Sequence, residues 1–185
     1  MSLHGASRSI ETGQHLAGGA CEDGGNENPS LSPVVRASCE QQEAERYSES
    51  LPMRLCDGCD GCGLRCTEGV RMTRSEYQRI ETHLRSNPDE AARVAAQEKS
   101  IPGWPVTKFC QFRDTEKNRC SIYPVRPVIC RLFGHTEWLP CPLEIVPLKG
   151  QDAMDVYQRY AREEIRPFDE WRQRPLVLDE SRAEI

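Results

Sequence analysis

The sequence predicts a small α+β domain, irregular and metal-stabilised, with short helices and a β-hairpin. Three observations predict it. Only 37% of the 185 residues are hydrophobic and 6% aromatic, so the core is small for the length. Ten cysteines are present, and a chain short of apolar core draws stability from covalent or coordinate links. The helical and β-prone runs are all brief, and Pro and Gly punctuate them.

Taken in order, residues 1–47 are rich in Gly, Ser, Glu and Asn, lack hydrophobic periodicity and are expected to form a disordered tail. Cys21 and Cys39 fall in that tail and are not expected to be ligands. The domain is expected over 48–172, with a frayed C-terminal tail over 173–185. Within it, Thr73 and Glu76 form a capping box, flanked by Met72 and Tyr77 as a hydrophobic staple. Tyr77, Ile80 and Leu84 then share one helical face. Asn87-Pro88 ends this helix and starts another, with Asn87 as cap and Glu90 closing a second box. "TKFCQF" and "CSIY", joined by "RDTEKNR", predict a hairpin with Cys110 and Cys120 near its two arms. "RPVICRLF" suits a short helix with Pro127 in its first turn. Residues 152–165 predict a last helix, with Met154, Tyr157, Ala161 and Ile165 on one face.

Charge and hydropathy exclude several function classes. Residues 1–50 carry eight acidic and three basic side chains, and the rest balances at 21 of each sign. Without a basic excess, nucleic acid is not an expected partner. No secretory apolar run opens the chain and no segment is long and apolar enough for a membrane helix, so the expected compartment is the cytoplasm. Thiols are kept reduced there, which disfavours a disulfide framework and favours metal or redox chemistry.

Eight cysteines remain, in two groups along the chain. Cys56, Cys59, Cys62 and Cys66 follow C-x-x-C-x-x-C-x-x-x-C, while Cys110, Cys120, Cys130 and Cys141 are widely spaced. Consecutive C-x-x-C steps let one loop offer three sulfurs, which wraps the corners of an iron–sulfur cube better than a single ion. Gly58, Gly61 and Gly63 let that backbone approach sulfur closely. Zinc is the alternative, although its usual pair of C-x-x-C knuckles is incomplete because the later group has none. A thioredoxin-like exchange site fits less well, because overlapping pairs in a glycine-rich loop do not place one thiol at a helix start. Cys56, Cys59 and Cys62 therefore lead the candidate ligands of an iron–sulfur cluster, of four-iron type, and one or two sites are open. His135, five residues past Cys130, is weighed as a ligand against an ordinary packed histidine.

"CDGCDGCGLRC" together with "FCQF" and "CSIYPVRPVICRLFG" resembles the YkgJ-type cysteine-cluster family of zinc- or iron-chelating domains. The resemblance covers roughly residues 53–142 and rests in its second part on Cys120, Ile122, Tyr123, Arg126, Pro127, Cys130 and Arg131. The family often carries C-x-x-C-x-x-C-C, whereas here Gly63 follows Cys62 and the next thiol is Cys66. The resemblance implies that all eight thiols, including Cys66, Cys110, Cys120, Cys130 and Cys141, are metal-associated. It also implies kinship with the cluster domain of flagellin lysine N-methylases. Arg126 and Arg131 are candidates to offset the negative charge of a thiolate-bound centre from just outside it. No phosphate loop, metalloprotease helix, nucleophile elbow or dinucleotide fingerprint is present, so no catalytic residue is assigned. The expected role is redox or accessory. The alternatives are a structural zinc module that binds a protein partner, and an accessory subunit of a modifying enzyme such as a methyltransferase.

Overall fold

The capping box at Thr73 and Glu76 forms as expected: the Thr73 hydroxyl accepts the Glu76 N–H while the Glu76 carboxylate accepts the Thr73 N–H at 2.9 Å. It opens α2 (Arg74–Ser86), around which the rest of the computed structural model is arranged. The structure describes residues 33–51, 53–56, 59, 61–146 and 152–174. Six short helices and three two-stranded antiparallel pairs make up a small α+β domain.

α1 (Pro33–Ser50) precedes the cysteine loop. The expected tail therefore does not hold for residues 33–47, which are helical; the remainder of that tail, with Cys21, lies outside the described residues. The helix is stabilised from outside itself: Ala44 and Leu51 pack with Val128, Leu132, Val156 and Tyr160. Weak amphipathicity hid it, because an acidic sequence with few apolar positions becomes helical only where tertiary packing supplies a partner.

β1 (Arg71–Met72) pairs with β6 (Arg166–Pro167), and α6 (Phe168–Gln173) follows β6 directly. This places Phe168 and Trp171 against Met72, Tyr77, Ile80 and Phe112. The Trp171 indole N–H donates to the Met72 carbonyl at 2.8 Å, and the Phe112 and Phe168 rings meet edge-on. α3 (Pro88–Ala95) starts at Pro88 as expected, but Asn87 does not cap it. Its side-chain amide instead donates back to the His83 carbonyl at the end of α2, and Glu90 pairs with Arg119.

The hairpin is shorter and later than expected. β2 (Ser100–Ile101) pairs with β3 (Trp104–Lys108), and a separate hairpin joins β4 (Arg113–Asp114) to β5 (Arg119–Cys120). Asp114 is fully buried and fastens the second hairpin to α3. It accepts from Arg93 at 2.5 Å, from Gln97, and from the backbone N–H groups of Glu116 and Lys117 in its own turn. The Arg93 hydrogen bond, outweighing burial, holds this carboxyl well below the usual carboxylate range.

α4 (Val128–Leu132) begins after Pro127 and carries Cys130. α5 (Ala153–Tyr160) is shorter than the expected 152–165 helix, and its buried face is Ala153, Val156 and Tyr160, with Met154 exposed. Glu76 ties three helices together. Its carboxylate accepts the Val128 N–H at 2.8 Å and the Tyr160 hydroxyl, besides capping α2.

Glu163, just past α5, stands beside acidic α1. Burial, with the charges of Glu40, Glu76 and Glu45, raises its carboxyl to about 7. A folded-state value above the unfolded 4.5 means that its contribution is complete below pH 4.5 and is lost as pH rises through about 7. Thermal midpoints should therefore fall across that window in the native chain and fall less in Glu163→Gln; parallel profiles would contradict the assignment.

Candidate metal centre

Three loop segments and two elements deliver the thiols. Cys56 ends a 3-10 turn, Cys59 follows, and Cys62 lies in a second 3-10 turn over Gly61–Arg65. The Cys59 N–H donates to the Cys56 carbonyl at 3.0 Å, so the first C-x-x-C step is a closed turn. Gly58 lies outside the described residues. Gly61 and Gly63 are closely approached by side chains, since an added Cβ would lie 2.7 Å from Leu143 or 1.8 Å from Arg113, which would have to shift.

The chain then turns Cys66 away from this loop. The Cys110 N–H donates to the Cys66 carbonyl at 2.9 Å, the Glu68 N–H donates to the Lys108 carbonyl, and Thr67 bridges Phe109. Cys66 is thus paired with the segment after β3, which sets its thiol beside that of Cys110. Its contact with Cys110, burial and the Cys110 charge all drive the Cys66 thiol strongly up. Cys120 at the end of β5 is pushed up to about 11 by burial and by Cys66. Cys130 on α4 is pushed up by burial, Cys66 and Cys120.

Cys141 goes the other way along the chain. Gly134, at φ +89, turns the backbone after α4, and the segment loops back so that an added Gly134 Cβ would lie 3.5 Å from the Cys62 sulfur and 3.8 Å from Cys141 Cα. Burial, then Cys56, Cys141 and Cys59, push the Cys62 thiol up to about 11. At Cys141 itself, burial is outweighed by the backbone N–H groups of Leu143, Val146, Ile145 and Glu144, which hold the thiol below its ordinary value. Glu144 adopts φ +55 in that turn. Backbone amides directed at a sulfur favour its thiolate form.

Cys62 thus has Cys56, Cys59 and Cys141 as its charged neighbours, Cys66 has Cys110, and both Cys120 and Cys130 have Cys66; all eight thiols line one cavity of about 510 Å³. Neighbourhood in space thus differs from sequence order, in which Cys66 follows the early loop and Cys141 follows the later segment. Among the described residues no three His, Cys, Asp or Glu side chains close to the geometry that holds a single ion. Cys39 is disulfide-bonded and stands apart from the eight free thiols.

Comparison with protein families gives one match, to the CxxCxxCC family described as "Putative zinc- or iron-chelating domain", over residues 56–163. The chain belongs to this family. Comparison with curated proteins and with solved structures gives no match. The CxxCxxCC match begins at Cys56 and contains all eight clustered cysteines, so this is a metal-binding cysteine cluster.

Other side chains complete the cluster's surroundings. Arg126 lines the cavity, lies 3.7 Å over the Tyr123 ring and favours ionisation of Cys62, Cys66, Cys120 and Cys130. Arg131 is turned elsewhere: its Nε donates to the Arg126 carbonyl at 3.0 Å and its guanidinium reaches Glu49. His135 is fully buried with Nε2 3.3 Å from the Cys56 sulfur, while Nδ1 has no hydrogen-bond partner among the described residues. Sequence reasoning missed Arg113, a buried cation on β4 with no motif around it to announce it. No helix among the described residues is long and apolar enough to cross a membrane.

Proposed function

We propose that the CxxCxxCC domain holds two metal centres, one on each of two thiol sets, Cys56–Cys59–Cys62–Cys141 and Cys66–Cys110–Cys120–Cys130, and that the first carries a four-iron iron–sulfur cluster. The observation that carries this reading is the neighbourhood of the thiols around Cys62 and around Cys66 on one largely apolar cavity. Four thiolates complete either a tetrahedral zinc site or a four-iron cube. For the first set, a three-sulfur loop plus the amide-cradled Cys141 supports the cube. Backbone N–H groups directed at sulfur tune a cluster's potential, which supports a redox role in the cytoplasm. The cluster would supply one-electron chemistry. The chain's own part is to present thiolates, exclude water and offset charge through Arg126. For the second set, the backbone pairing that sets Cys66 beside Cys110 supports another reading, structural zinc, because neighbouring thiolates suit the edge of one tetrahedron.

Chain purified without oxygen should be brown, with sulfur-to-iron charge-transfer absorption that dithionite bleaches. Colourless protein with two zinc ions per chain would overturn the cluster reading and leave the structural one. The accessory role beside a methyltransferase would require a stable complex with such an enzyme in pull-down.

A further inference from the structure

Arg113 is a guanidinium without an acid. It is 3% exposed, and its Nε and Nη1 have no hydrogen-bond partner among the described residues. Its Nη2 donates to the Asn118 side chain at 3.1 Å, and its Cζ stands 4.7 Å over the Phe109 ring. The neighbouring acid, Asp114, is already engaged by Arg93 and Gln97. A guanidinium stays charged in any protein environment, and a buried charge with no counter-charge is strongly destabilising. The site accommodates it: Nη1 lies where a Cβ on residue 63 would sit, a place left open by Gly63, and Asn118 adopts φ +52 beside it. Arg113 lines the same cavity as the eight thiols, and its charge favours ionisation of Cys66 and Cys120.

We infer that the Arg113 guanidinium is the counter-charge of the second centre, giving its unpaired N–H groups to the sulfurs of Cys66, Cys110, Cys120 and Cys130 when metal is bound. The inference rests on the two-centre reading. Four thiolates around a divalent ion leave a net charge of about −2, and charge-assisted N–H···S contacts offset it. Arg113 is a positioning residue here, distinct from the ligands, and it serves one centre where Arg126 faces both.

The probe is cobalt(II), whose thiolate charge-transfer band reports sulfur ligation, titrated against a chelator. Cys59→Ser is used to isolate the second centre and Cys120→Ser the first. Arg113→Gln should weaken cobalt binding about 10- to 100-fold in the Cys59→Ser chain. It should leave binding in the Cys120→Ser chain unchanged, and Arg113→Lys should recover part of the loss. Asn118→Gly, which keeps the charge and suits the positive φ, should give a smaller loss confined to the second centre. An unchanged affinity in the Cys59→Ser chain would overturn the inference, and so would equal losses in both chains, the mark of a merely structural role. Should the two-centre reading itself be wrong, Cys59→Ser alone would not retain one cobalt per chain, which separates the two failures.

Discussion

Cys141→Ser is expected to strip metal from the same centre as Cys59→Ser, and Cys66→Ser from the other. Each single change should remove close to half of the bound metal. The first pair should leave the Cys66–Cys110–Cys120–Cys130 centre with an unaltered spectrum, and Cys66→Ser should leave the Cys56–Cys59–Cys62–Cys141 centre. The effect on stability should be large. Structural metal binding in small modules contributes about 10–16 kcal/mol, against a net stability of about 5–15 kcal/mol for an ordinary domain. The losses should be local as well. Cys141→Ser should expose the loop after α4, and Cys66→Ser should expose the β4–β5 hairpin, both readable by limited proteolysis. Cys39→Ser, at a disulfide-bonded sulfur apart from the eight free thiols, should leave metal content unchanged.

Glu76→Ala is expected to cost about 3–5 kcal/mol in denaturant unfolding of the metal-loaded protein, although Glu76 touches no metal. Its fully buried carboxylate accepts from the Thr73 N–H, the Val128 N–H and the Tyr160 hydroxyl. Truncation strands three buried donors, each worth about 1–3 kcal/mol when left unpaired. The Val128 N–H starts the helix that carries Cys130, so the second centre should also bind metal more weakly. Glu76→Gln keeps the acceptor oxygen that Val128 uses and should cost less. A loss under 1 kcal/mol for Glu76→Ala would show that α2, α4 and α5 are held together by apolar packing alone.

Glu76 also shows where sequence reasoning ends. Its capping box with Thr73 spans four residues and follows from local rules. Its bonds to Val128 and Tyr160 span 52 and 84 residues, and no local pattern announces them. The thiols divide in the same manner. The C-x-x-C-x-x-C spacing marks Cys56, Cys59 and Cys62 as one loop, but spacing also placed Cys66 with them. Backbone pairing with Cys110 sets Cys66 beside the later segment, a contact that spacing does not announce. Cys141 reaches the early loop through a turn at Gly134 that the sequence marks only as one glycine. α1 was missed because its apolar positions are few and gain their meaning from Val128, Leu132 and Tyr160 far along the chain. Arg131 matched the family's motif, yet its side chain supports the backbone of Arg126 and does not line the cavity.

The interleaving of the two sets is tested most directly by counting metal in double variants built on Cys59→Ser, because changes within one unit do not add and changes in separate units do. Adding Cys141→Ser is expected to remove no further metal, while adding Cys66→Ser is expected to remove the rest. The reverse result, with Cys66→Ser silent and Cys141→Ser emptying the chain, would contradict this division and restore the grouping that sequence order suggests.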